Sequence, residues 1–228
     1  MLSLLSLFKQ KDMQKQEGKH ESAQSFNQQN QSKTVKQRGG SSNNKLSVQL
    51  EQISKDYHYL SDILIENPKS VTGFSHMDHL VLTPYGIFVI DVKDYKGNLF
   101  GTKKERTWTI NGKINVMNPF VQVDNHIQAL KNVLSVNEEN PFISLVCFSN
   151  RCKLKIDEAL REVSCNEVAI YEGNLEETIN RKIHIARVKQ EQQTLTQNDL
   201  TTIYKTVVRA NITDPAIRQK HNDSIDTA

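Results

Sequence analysis

The amino-acid sequence predicts an α/β domain with a mixed central sheet flanked by helices. Three observations carry this. Segments with strand composition alternate with segments whose apolar residues recur at helical spacing, as in a sheet covered by helices. Two strand-like runs, Met77–Thr83 and Gly86–Lys93, are separated only by Pro84-Tyr85, which makes them an antiparallel hairpin. The run Phe142–Phe148 is almost continuously apolar, as suits a strand buried on both faces.

The elements follow in order. Residues 1–42 are polar, low in complexity and rich in Gln, Asn, Ser and Lys. They carry too little apolar surface to offset the entropy of ordering, so a disordered basic tail is expected. The folded domain is expected over 43–212, with a C-terminal tail or frayed helix over 213–228. Leu46, Leu50 and Ile53 space a first helix over 44–56, and Tyr57–Ile65 reads as a strand closed by Asn67-Pro68. Thr83-Pro84-Tyr85-Gly86 has proline and glycine where a type I turn wants them. Trp108–Ile110 and Lys113–Val116 flank Asn111-Gly112 as a second hairpin. Asn118-Pro119 opens a helix whose stripe is Val123, Ile127, Leu130 and Leu134. Val168–Tyr171 is a short strand, and Leu175–Ile185 and Gln197–Ala210 are surface helices.

Charge is unevenly placed. Residues 1–45 hold eight Lys/Arg against three Asp/Glu, a net +5, and the rest holds 21 against 23, a net −2. A basic arm fits contact with nucleic acid or simple solvation. Three cysteines with no CxxC argue against a disulfide framework and against a zinc site, which points to a reducing, cytoplasmic setting. The apolar start, Leu2–Phe8, is too short to span a membrane, and membrane contact is not expected, although an interfacial helix there is an open reading. There is no glycine-rich phosphate loop, Ser-His-Asp pattern or Cys-His nucleophile arrangement, and nothing suggests a small-molecule or redox cofactor.

The chemistry concentrates in the first hairpin. Asp91 and Lys93 share one face of their strand. A two-residue turn pairs Thr83 with Gly86 and, counting outward, Asp78 with Asp91. Such partners have Cβ atoms about 4.5–5.5 Å apart, and like charges so placed need a cation or a proton between them. Mg²⁺ (or Mn²⁺) is the expected cation, because it takes one or two carboxylates and keeps its other sites for water and phosphate oxygens. Two other readings stay open. A glycine bulge at Gly86 would move Asp78 to the other face. The acids would also read as two solvated strand-end carboxylates.

The run from Met77 to Gly97 resembles the core of the nuclease-related domain, NERD. The resemblance continues through Trp108, through Asn118-Pro119-Phe120-Val121-Gln122 and through the strand ending Phe148-Ser149-Asn150-Arg151, and it spans roughly residues 43–180. That family is similar to the PD-(D/E)xK nucleases, so the resemblance implies a restriction-endonuclease-like fold and a Mg²⁺-dependent phosphodiesterase acting on DNA. It implies Asp78 and Asp91 as metal ligands, Lys93 as the catalytic lysine and Gln122 as a further catalytic residue. Asp91 stands where the family usually has Glu. Asn43 stands near the place of a family Glu ahead of the first helix, and Glu51 is the nearest helical carboxylate. A catalytically inactive nucleic-acid-binding or adaptor module on the same fold is the alternative. His76, His79 and His126 lie near the site in sequence, as do Lys96, Lys103, Lys104 and Arg106. Each reads either as functional or as ordinary surface. Trp108 reads as core packing or as a base-stacking ring.

Overall fold

The computed structural model describes Leu46, Leu50, Ile53 and residues 57–136, 142–189 and 193–226. The tail expected over 1–42 and the positions Asn43 and Glu51 lie outside the described residues. Leu46 and Leu50, from the helix expected over 44–56, are helical and buried.

Among the described residues, nine strands form two mixed sheets. The first runs β1 (His58–Glu66), β2 (Phe74–Thr83), β3 (Gly86–Lys93), β7 (Phe142–Phe148) and β9 (Glu167–Tyr171) in that spatial order. Its β1–β2 and β2–β3 pairs are antiparallel and its β3–β7 and β7–β9 pairs parallel. The second runs β6 (Ile114–Met117), β5 (Thr107–Ile110), β4 (Gly97–Gly101) and β8 (Cys152–Ile156). Here β4 and β8 are parallel, each following its partner strand β3 or β7 after a short bend. Besides the helical Leu46 and Leu50, four helices lie within the described residues: α1 (Pro119–Leu134), α2 (Leu175–Val188), α3 (Gln197–Ala210) and α4 (Pro215–Asp226). The α/β class and mixed sheet are those expected. The second sheet is additional, because β4 is bounded by glycines and β8 is interleaved with lysines, compositions that read as loop in sequence.

The first sheet is covered on both sides. Leu80, Leu82, Ile87 and Val89 pack with Val123, Ile127 and Leu130 of α1 and with Ile203 and Val207 of α3. On the other side Val81, Phe88, Ile90 and Leu145 pack with Ile179 and Ile183 of α2 and with Leu46 and Leu50. Burial of both faces is why β3 up to Ile90, and β7 apart from Ser144, are continuously apolar rather than alternating.

α1 is aimed by its N-terminus. The Asn118 side-chain oxygen accepts from the Phe120 N–H at 3.0 Å, and its amide donates to the Glu105 carbonyl at 2.7 Å. Pro119 fills the first helical position, where no N–H is needed. Asn118→Ala removes both links, so the midpoint of urea unfolding should fall by the equivalent of about 1–2 kcal/mol.

β1 is broken at Asp62, whose φ is 54°. The β1–β2 ladder runs from His58↔Leu82 to Ser61↔His79 and resumes at Ile63↔Met77, skipping the pair Asp62 and Asp78. α4 clasps this break. Arg218 Nη1 lies 2.9 Å from Asp62 Oδ1, and Nη2 donates to the Asp62 carbonyl at 2.7 Å. No helix among the described residues is long and apolar enough to cross a membrane.

Candidate metal and active site

The register decides which faces the acids occupy. β2 and β3 pair as Thr83↔Gly86, Leu82↔Ile87, Val81↔Phe88, Leu80↔Val89 and His79↔Ile90. Pro84-Tyr85 is therefore a two-residue loop without a bulge, and the next positions outward are Asp78 and Asp91. At that point the ladder ends and the strands part. The Asp78 carboxylate fills the gap, accepting the Val92 N–H at Oδ2 over 2.7 Å. Asp91 is its charged neighbour there.

Asp91, 5% exposed, extends toward α1. Its Oδ2 lies 2.7 Å from Lys93 Nζ, and Lys93 Nζ donates to Gln122 Oε1 at 2.9 Å. The structure thus brings all four candidate residues, Asp78, Asp91, Lys93 and Gln122, into one contiguous cluster. The hairpin supplies three of them, and the first turn of α1 supplies the amide.

The electrostatics are those of a shared proton and one ion pair. Burial, then the neighbouring Asp91 charge, pushes the Asp78 carboxyl up to about 7. Burial also pushes Asp91 upward, but the Lys93 ammonium and the other partners outweigh it and hold that carboxyl below the ordinary range. Burial pulls the Lys93 amine down, but Asp91 together with Tyr95 and Asp78 outweighs it and holds the amine above its ordinary value. Without a metal, the cluster therefore balances one carboxylate, one ammonium and a proton on Asp78.

A small hard dication fits this donor set. It would replace the Asp78 proton and draw on the two carboxylates, with water completing its shell. Among the described residues no three His, Cys, Asp or Glu side chains gather closely enough to cage a metal. A closed zinc-type site does not fit.

The proton has a measurable consequence. Folded Asp78 keeps its proton up to about 7, against 3.8 for the ordinary carboxyl. Between those limits the folded chain binds more protons than the unfolded chain, so this group's contribution to stability falls as pH rises through the window. Metal-free thermal melts should show that decline in the parent but not in Asp78→Asn. Added Mg²⁺ should raise the melting point more above the window than below it.

His126, one turn beyond Gln122, is 6% exposed, and neither of its ring nitrogens has a protein partner. Burial lowers it to about 4, so the imidazole is neutral at ordinary pH, within electrostatic reach of Asp91 and Lys93. The i, i+4 spacing from Gln122 is the signal for it in sequence. The other two candidate histidines lie elsewhere. His79 is on the opposite face, with Nδ1 3.1 Å from the Tyr59 hydroxyl. His76 pairs with Asp62 at 2.7 Å. Lys103 is bound to Glu167 at 2.5 Å. Trp108 is fully buried, donates its indole N–H to the Thr102 carbonyl at 2.9 Å and meets the Phe120 ring edge-on. It is a core residue.

A mixed sheet flanked by helices, with two acids, an amine and an amide gathered where a hairpin opens, makes this an α/β domain of nuclease-like architecture. Residues 38–149 match the family model described as nuclease-related domain, NERD, a family of the PD-(D/E)xK-like nuclease superfamily. It is also similar to an uncharacterized protein of Bacillus anthracis, 29% identical over 170 residues, which are 73% of this chain and 73% of that protein. No solved structure matches it.

Proposed function

We propose that the chain is a Mg²⁺-dependent nuclease that hydrolyses phosphodiester bonds in DNA. The observation that supports it most is the register that sets Asp78 opposite Asp91 with Lys93 and Gln122 alongside. Asp78 and Asp91 would hold the metal. Bound there, Mg²⁺ supplies Lewis-acid activation of the scissile phosphate and of water. Lys93 keeps an ammonium at the site to stabilise charge developing on the phosphate oxygens. Gln122 fixes the direction of Lys93 Nζ through its 2.9 Å hydrogen bond. The burial of Asp91 and Lys93 excludes bulk water and strengthens both interactions.

The test is nicking of supercoiled plasmid by purified full-length protein, with Mg²⁺ or Mn²⁺ and with EDTA. Metal-dependent nicking that disappears in Asp91→Ala is the expected result. Equal nicking by parent and variant would remove the proposal. A second reading, a non-catalytic nucleic-acid-binding module, draws on the charge balance of the site, since Lys93 and the Asp78 proton neutralise the acids without a metal ion. DNA binding without nicking at any metal concentration would favour that module.

A further inference from the structure

The second sheet has two unlike faces. Leu99, Trp108, Ile110 and Leu154 are buried toward the main core. The alternate residues point away from it. On that outward face Phe100 is 43% exposed, Met117 on the far edge strand β6 is 57% exposed, and Lys153 and Lys155 on β8 are exposed. The register sets Lys155 next to Phe100 on one side and Thr109 on the other. Lys153 stands beside Asn98, one step along the same pair of strands. None of the outward positions of the four strands is acidic.

The charge of the whole sub-sheet is as one-sided. Residues 97–117 and 150–157 together hold seven Lys/Arg and two Asp/Glu, a net +5. The remainder of 46–228 holds 14 against 21, a net −7. Two of the seven cations are neutralised, Lys103 by Glu167 and Arg151 by Asp94. Lys104, Arg106, Lys113, Lys153 and Lys155 have no ion-pair partner among the described residues and are exposed. The sub-sheet thus carries five exposed, unpaired cations, and one of them, Lys155, stands directly beside the exposed Phe100 ring.

A flat strand surface with an exposed ring and flanking lysines matches the chemistry of an unpaired nucleic-acid strand. Every unpaired base has a π-face to stack on a ring, while its phosphate meets the ammonium. A duplex hides those faces, and an apolar protein partner would gain nothing from unpaired lysines. We propose that the outward face of β4, β5, β6 and β8 is a platform for single-stranded DNA, with Phe100 stacking on a base and Lys153 and Lys155 holding the adjoining phosphates. The proposal takes its ligand class from the nucleic-acid reading of the candidate site, but not its hydrolytic step. Seven residues of chain join Lys93 to Phe100, which limits their separation to about 25 Å. The cluster and the platform are thus joined by one short run of chain, β3 leading into β4.

The test is fluorescence anisotropy of a labelled oligothymidylate with the full chain in EDTA, so that no cleavage enters the measurement. Phe100→Ala should bind about 5- to 100-fold more weakly. Lys153→Gln/Lys155→Gln, which alters only exposed side chains, should also weaken binding. It should lower the slope of log affinity against log salt by about 1.4. Trp108 fluorescence and the melting point report whether each variant keeps its fold. Three results would overturn the proposal: no binding by the parent, parental affinity and slope in the folded lysine variant, or tighter binding of a matched duplex that neither variant affects. Platform-dependent binding by a parent that never nicks DNA would uphold the platform and count against the hydrolytic reading alone.

Discussion

Lys93→Ala should slow metal-dependent cleavage by about 100- to 1000-fold, the usual cost of losing one preorganised charge-stabilising group, and Asp91→Ala should abolish it. Initial nicking rates at saturating Mg²⁺ measure both. The two effects differ in origin. Asp91 is both a proposed metal donor and the anion that holds Lys93 in place. Lys93 acts on developing charge, so binding of Mg²⁺ should survive in Lys93→Ala and fail in Asp91→Ala, which calorimetric titration distinguishes. Stability should also respond. Lys93→Ala leaves Asp91, with a side chain 7% exposed, facing no cation, and breaking a buried pair in this way costs about 3–5 kcal/mol. The orphaned carboxyl then takes up a proton more readily than in the unfolded chain, so the deficit should shrink as pH falls. Parental rates in both variants would end the catalytic assignment.

Trp108→Ala should be the most destabilising single change outside the site, by about 3–5 kcal/mol in urea unfolding. The ring is fully buried, and it fills the space above Gly101 so closely that a Cβ there would fall 2.2 Å from it. Its edge-on contact with Phe120 seats the start of α1. Gly101→Ala is the complementary variant, because it displaces the same ring without removing it, and overpacking costs about 1–3 kcal/mol. Each change should also reach the active site. Phe120 is two residues from Gln122, and a misplacement of about 1 Å in a reacting group costs on the order of 100-fold in rate. Unaltered unfolding midpoints in both variants would contradict this account of the core.

Much of this was legible in the chain. The hairpin followed from two apolar runs and a proline-glycine turn, α1 from Asn118-Pro119 and its stripe, and β7 from seven consecutive buried-type residues. These signals are local: a turn's dihedral demands, an unsatisfied helix terminus and the period of a buried face act over a few neighbours. The second sheet was not legible. β4 is bounded by glycines, β8 is interleaved with lysines and pairs with a strand some 50 positions earlier, so only the continuation of β3 and β7 reveals them. Of the polar side chains, His126 was visible as an i, i+4 neighbour of Gln122, but its two unpartnered nitrogens follow from burial alone.

By itself the sequence determined the residue types and the spacing that put Asp91 and Lys93 on one face, since side chains alternate along any strand. Only the tertiary structure decided that Asp78 joins them, because whether Gly86 bulges is settled by the packing of both sheet faces. A slip of one residue would have carried Leu80, Leu82, Ile87 and Val89 out of their core along with the acid. It likewise decided the roles of the rings: Trp108 is enclosed against Phe120, while Phe100 is left facing solvent, a difference set by which side of the second sheet the helix covers.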